Sequence, residues 1–153
     1  MNPMNRAALV TGSSRGIGRA IAAQLAREGY AVGINYYERR DKAEELAALL
    51  TAEGCRAFAV QADVSKRAEV DAMVKAVTEA FGPISVLVNN AGTDNSTWLT
   101  RLKQSEWDAV CNLNMKAPYT MMKYAIPHLV KTKGCIVNTA SVAGVYGCPT
   151  GLP

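Results

Sequence analysis

The stretch Ala8-Leu9-Val10-Thr11-Gly12-Ser13-Ser14-Arg15-Gly16-Ile17-Gly18 constrains this chain more than any other. It runs from apolar to glycine-rich and then into a helical pattern, so it reads as strand, tight turn and helix in that order. The first turn of a helix presents unpaired N–H groups and the positive end of the helix dipole, a setting suited to a phosphate. Gly12, Gly16 and Gly18 clear side chains from that space, and Gly18 lets the helix press closely on the strand beneath. The spacing, Thr-Gly-x-x-x-Gly-x-Gly, differs from the general G-x-G-x-x-G fingerprint. An ordinary tight turn would use the same glycines, so the rest of the chain has to decide.

Taken in order, short apolar runs alternate with amphipathic ones. Ile17, Ile21 and Leu25 recur every four residues and predict the core face of a first helix, stopped at Gly29. Residues 30–36 read as a second strand. Ala43, Leu46, Ala47 and Leu50 mark a second helix closed by Gly54, and residues 56–61 a third strand. Val70, Met73, Val74, Val77 and Phe81 give a third helix, entered with Ser65 as N-cap and stopped by Gly82-Pro83. Residues 84–89 are a fourth strand and 135–139 a fifth. Between them, Ser105-Glu106-Trp107-Asp108 has the form of a capping box opening a long helix. Strands separated by single helices cannot pair as hairpins. The expectation is therefore an α/β fold, a doubly wound and mainly parallel sheet of about five strands in one domain over residues 1–153.

Composition narrows the function. Hydrophobic residues make up 49% and charged residues 20% of 153, enough for one ordinary core. The net charge of +4 comes from scattered Lys and Arg without interleaved aromatics, which argues against a nucleic-acid partner. No apolar run approaches the ~20 residues that span a bilayer, so no membrane partner is expected. Cys55, Cys111, Cys135 and Cys148 have no zinc-ligand spacing, and no metal is expected; His128 reads as a solvated helix-end residue. With no signal peptide over Met1-Asn2-Pro3-Met4-Asn5-Arg6, the thiols read as reduced and the protein as cytoplasmic.

In a parallel sheet of this kind the ligand sits beyond the carboxyl ends of the strands. Here those positions carry residues 12–18, residues 36–40, Asp63-Val64, Asn89-Asn90-Ala91-Gly92 and Thr139-Ala140-Ser141. The set, with the helical Asn114 and Ile136-Val137-Asn138-Thr139-Ala140-Ser141-Val142-Ala143-Gly144, resembles the short-chain dehydrogenase/reductase family over essentially the whole chain. The resemblance implies a Rossmann-like sheet. It also implies that Gly12, Ser14, Arg15, Gly16, Ile17 and Gly18 hold the phosphate side of a dinucleotide, that Asp63 and Val64 bind its adenine ring, and that Asn90, Ala91 and Gly92 line its path. Asp63 read as a helix cap, and residues 89–92 read as a plain strand-end turn, are the bland alternatives.

An NAD-preferring enzyme usually places a carboxylate at the end of the second strand, where it repels a 2′-phosphate. That position is Tyr36, with no acid until Glu38, while Arg15, Arg39 and Arg40 lie close by. The expected cofactor is therefore NADP(H) rather than NAD(H). Against this, Arg39 and Arg40 also read as solvated charges at a helix start. The chemistry the resemblance implies is hydride transfer to or from a small-molecule carbonyl or secondary alcohol. Ser141 would contact the substrate oxygen and Asn114 would help position a water. Pro118, lacking an N–H, cannot bond the Asn114 carbonyl four residues back, which leaves that acceptor for the water.

The family's catalytic tyrosine follows the serine by about a dozen residues, with a lysine four further on that lowers its pKa. This chain reaches Pro153 twelve residues after Ser141, and Tyr146, the one tyrosine in between, has Thr150 four residues on. Tyr146 reads as part of the loop after the serine. The sequence-based expectation is a cofactor-binding portion lacking the C-terminal part of the family fold, nearly inactive alone and with its fifth strand a bare edge. Two alternatives stay open: a non-catalytic nucleotide-binding or interaction module, and a methyltransferase on a similar sheet, which the absence of an acid at Tyr36-Tyr37 disfavours. Trp107, Met121, Met122 and Ile126 offer apolar surface for a homo-oligomer contact, or else pack on their own sheet.

Overall fold

A computed structural model describes residues 6–147; Met1 to Asn5, and with them most of the leader reading, and Cys148, Thr150 and Pro153 lie outside the described residues. The elements run β1 (Ala7–Val10), α1 (Gly16–Arg27), β2 (Ala31–Tyr36), α2 (Arg40–Ala52), β3 (Ala57–Gln61), α3 (Arg67–Phe81) and β4 (Ile84–Asn89). After a short turn at Leu99–Arg101 come α4 (Gln104–Cys111), a π turn (Asn112–Lys116), α5 (Ala117–Thr132), β5 (Cys135–Asn138) and a single helical turn, α6 (Ala143–Tyr146). All strand pairs are parallel, in the order β3-β2-β1-β4-β5.

Alternation along the strands sends side chains to two cores. Ala8 and Val10 of β1, with Val32, Ile34 and Tyr36 of β2, pack under Ala22 and Ala26 of α1 and Ala43, Leu46 and Leu50 of α2. Leu9, pointing the other way, joins Val70, Met73 and Val77 of α3 and Met121, Ala125 and Leu129 of α5. Leu9, Ile34, Leu46, Leu50, Met73, Leu87 and Met121 are fully buried, each contributing roughly 1.5–3 kcal/mol relative to exposure. β5 pairs on one side only among the described residues, and Cys135, Val137 and Asn138 are exposed.

Several local expectations shift. The core face of α1 is Gly18-Ala22-Ala26, not the larger Ile17-Ile21-Leu25 stripe. Ile17 is 66% exposed, while Ile21 and Leu25 flank the core half-buried, because only small residues fit where the helix presses on the sheet. Ser65 does not cap α3. Lys66 holds that position, and the Ser65 N–H and hydroxyl donate to Asp63 Oδ1 at 3.0 and 2.6 Å. The capping box begins two residues earlier than read, the Lys103 N–H donating to Glu106 Oε2 at 2.9 Å. Met121 is core, whereas Trp107 and Ile126 are 43% and 47% exposed. His128 is half-buried near the end of α5, and Tyr146 closes a helical turn rather than lying in an open loop.

Candidate functional site

The strand order reverses direction between β1 and β4, since the chain winds outward through β2 and β3 before returning to β4. At such a switch point the helices that follow the two central strands lie on opposite faces of the sheet, and a ligand sits beyond the carboxyl ends of the strands. From β1 comes the glycine turn, in which Gly12 and Gly16 have φ of 61° and 57°, angles costly for any other residue. From β4 comes residues 90–92.

These two segments are fastened together by Thr11 and Asn90. The Thr11 hydroxyl accepts the N–H groups of Asn90 and Ala91, each at 2.9 Å, and the Asn90 amide donates to the Thr11 and Gly12 carbonyls at 3.0 and 3.2 Å. Contact is close enough that a Cβ on Gly12 would come 2.9 Å from Ala91 Cα, and one on Gly18 would run into the Asn90 amide nitrogen. A side chain at Gly16, by contrast, would meet open space.

The N-terminus of α1 is open at Gly16, where nothing stands within 4 Å of an added Cβ. No side chain caps it, its first turn contains no acid, and Arg15 at its N-cap makes no ion pair among the described residues. Open helix donors beside a free guanidinium and glycines at positive φ fit a phosphate. Ser13 is fully buried and donates its hydroxyl to the Val10 carbonyl at 2.7 Å; Ser14 is 8% exposed. Ile17, in the first turn of α1, is exposed.

At β2 the side chains divide. The Tyr36 ring is buried in the α1/α2 core at 5% exposure, so the first exposed side chain beyond the strand is Tyr37. Arg39 donates from Nε and Nη2 to Asp41 at 3.0 and 2.9 Å, and Arg40 from Nε to Glu44 at 2.7 Å. The hydrogen bond from Arg39 brings the Asp41 carboxyl down to about 2. Beyond β3, Val64 is buried and the Asp63 carboxylate accepts from Ser65. Burial works to raise the Asp63 carboxyl, but the Ser65 hydroxyl, the Ser65 N–H and Lys66 outweigh it, and the group lies below its ordinary value. Asp63 thus holds Ser65 in the turn ahead of α3 and does not cap the helix, whose N-cap is Lys66.

On the far side, Asn114 lies within the π turn, where the Ala117 N–H reaches the carbonyl of Asn112, five residues back. Pro118 follows at the start of α5. The Asn114 side chain makes a two-point bond to Thr93, donating to its carbonyl at 2.7 Å and accepting its N–H at 3.0 Å, which ties the segment after β4 to the helix. A Cβ on Gly92 would come 3.3 Å from Asn114 Oδ1. Ser141 is exposed beyond β5, its Oγ accepting the Ala143 N–H at 3.2 Å. Asn89 and Asn138 pair across β4 and β5 at 2.8 Å.

Two features escaped the sequence reading. The π turn is signalled only by Pro118 inside a helical run. The other is Asn35, a buried amide near the end of an otherwise apolar strand; its Oδ1 accepts the Gly12 N–H at 3.0 Å. A polar residue in an apolar run just before a strand end was the available signal.

The short chain dehydrogenase family model matches residues 6–153. A 3-oxoacyl-[acyl-carrier-protein] reductase of Staphylococcus epidermidis is 46% identical over 147 residues, 95% of this chain and 60% of that protein. One from Synechocystis sp. is 43% identical over 143 residues, 93% of this chain and 58% of that protein. The chain thus spans about three fifths of the length of these curated relatives. Among solved structures, a blue fluorescent protein from a metagenomic library in complex with NADPH superposes with a TM-score of 0.91 at 33% identity, covering 99% of this chain and 62% of that one. A dehydrogenase/reductase from Sinorhizobium meliloti gives 0.89 at 33% identity, covering 95% and 58%.

Proposed function

The chain belongs to the short-chain dehydrogenase family, and on that premise we propose that its 153 residues form one dinucleotide-binding domain of an NADP(H)-linked oxidoreductase acting on a carbonyl or secondary alcohol. The observation that carries this reading is the uncapped N-terminus of α1, which follows Gly12 and opens on Gly16, both at positive φ, beside Arg15, which makes no ion pair among the described residues. Residues 12–18 hold the phosphates, with Arg15 on the 2′-phosphate; Asp63 and Val64 border the adenine; and Asn90, Ala91 and Gly92 carry the cofactor toward Asn114 and Ser141. Tyr36 contributes as the neutral end of β2, leaving no carboxylate to repel the 2′-phosphate.

When bound, the nicotinamide supplies the hydride. The Ser141 hydroxyl donates to the substrate oxygen as negative charge grows there. The Asn114 carbonyl, which Pro118 cannot reach with an N–H, accepts from a water on the proton path. The relatives named above point to a 3-oxoacyl thioester as the substrate class. The free thiols of Cys55, Cys111 and Cys135 suit a reducing cytoplasm, and among the described residues no helix is long and apolar enough to cross a membrane.

The test is a direct fluorescence titration. NADPH binds at least tenfold tighter than NADH, and Arg15→Ala loses about tenfold for NADPH with NADH unchanged, the value of one charge-assisted hydrogen bond. Equal affinities overturn the NADP(H) preference; no binding of either overturns the reading.

A further inference from the structure

We infer that Asn35 is the positioning residue of the adenosine half of the site, a single buried amide that sets the spacing of three strand ends at once. The inference rests on the dinucleotide reading above and extends it to a residue that no motif marks. Asn35 is 2% exposed in β2, on the face opposite Ile34 and Tyr36. A buried amide left without partners is disfavoured, so its partners decide whether it is tolerated.

They lie on all three segments. Toward the glycine turn, Oδ1 accepts the Gly12 N–H at 3.0 Å. Toward β3, Nδ2 donates to the Ala62 carbonyl at 3.1 Å, next to Asp63, with the Tyr36 and Val60 carbonyls at 3.3 and 3.4 Å. The Asn35 backbone carbonyl accepts both the N–H and the hydroxyl of Ser13, at 2.8 and 3.3 Å. A donor on one side and carbonyls on the other fix which way the amide faces. The groups it joins are the phosphate turn, the end of β2 and the end of β3, the three places that must keep register to grip a phosphate, a ribose and an adenine together. An aliphatic side chain would fill the space but bridge nothing.

The experiment uses the full chain and adenosine 2′,5′-bisphosphate as probe, with amide hydrogen exchange in the ligand-free protein. In Asn35→Ala, exchange at Gly12 and Ser13 quickens at least tenfold while Leu9 and Val10 in β1 stay protected, and affinity for the probe falls about tenfold. Asn35→Asp keeps the Gly12 acceptor but turns a carboxylate toward the Ala62 carbonyl. Its affinity relative to wild type therefore recovers as pH falls from 8 to 5, because the protonated acid restores the missing donor. A residue that only filled space would show no such recovery. Asn35→Ala binding the probe within twofold of wild type, or a pH profile of Asn35→Asp parallel to wild type, overturns the inference while leaving the cofactor reading intact. A wild-type protein that binds neither the probe nor NADPH overturns both readings, and one that binds NADPH but not the probe overturns the inference alone.

Discussion

Arg39 precedes α2 at the edge of the site, yet its guanidinium is already held by both oxygens of Asp41. Asp41 titrates near 2, so this pair persists across the neutral range and only a substitution releases it. Asp41→Asn is expected to free Arg39 for the 2′-phosphate and tighten NADPH several-fold with NADH unchanged, checked by titration of both cofactors; parallel changes in the two would place Arg39 away from the phosphate. From sequence, Arg15, Arg39 and Arg40 are all candidates for the phosphate, with Arg39 and Arg40 also readable as solvated charges at a helix start. What separates them is the local pairing of the last two with Asp41 and Glu44, visible only once α2 is built. Asn35 illustrates the opposite difficulty: its importance lies in hydrogen bonds to residues 23 and 27 positions away, which no local pattern encodes.

At the scale of elements, close approach depends on small residues that hydropathy patterns undervalue. Gly33 in β2 lies under α3, where an added Cβ would come 2.7 Å from Val77 Cγ2 and 3.3 Å from Leu9 Cδ1. Gly33→Ala is expected to cost about 1–3 kcal/mol by overpacking, and the added Val77→Ala to return part of it, a coupling that urea denaturation of the double-mutant cycle would measure. At the other end of α5, Lys133 adopts φ of 52° as the C-cap, where a β-carbon is strained. Lys133→Gly is expected to raise stability by about 1 kcal/mol in the same assay. The strands, the helices and the two-faced sheet were legible in the sequence because alternation and four-residue spacing directly express burial. The core face of α1 was not, since Gly18, Ala22 and Ala26 carry little hydrophobicity. The π turn was hidden because it changes one hydrogen-bond register without altering the apolar pattern.

Across the whole molecule, five carboxyls among the described residues titrate below their ordinary values. Asp41, Glu45 and Glu53 owe this first to hydrogen bonds from Arg39, Lys42 and Arg27, and Glu69 to the Asp63 N–H. In Asp63, burial opposes the shift, and Ser65 and Lys66 overcome it. A group whose folded pKa is depressed binds protons more readily when unfolded, so its contribution is complete above the ordinary carboxylate range near 4 and disappears as pH falls toward the folded value. The melting temperature is therefore expected to be level between pH 6 and 8 and to fall below about pH 4. Asp41, Glu45 and Glu53 are exposed and bonded first to charged groups, and about 1 M salt, which shortens the screening length to about 3 Å, suppresses their share, whereas half-buried Glu69, bonded first to the Asp63 N–H, keeps its own. Asp63 is partly buried and bonded chiefly to neutral donors, so its share survives salt. In high salt the remaining acid sensitivity is expected to flatten further in Asp63→Asn, measured by thermal melts at pH 3 and 7. A variant profile matching wild type would mean that the Asp63 turn, proposed above to border the adenine, is held by Val64 packing and the Glu69 bond to the Asp63 N–H rather than by the carboxylate.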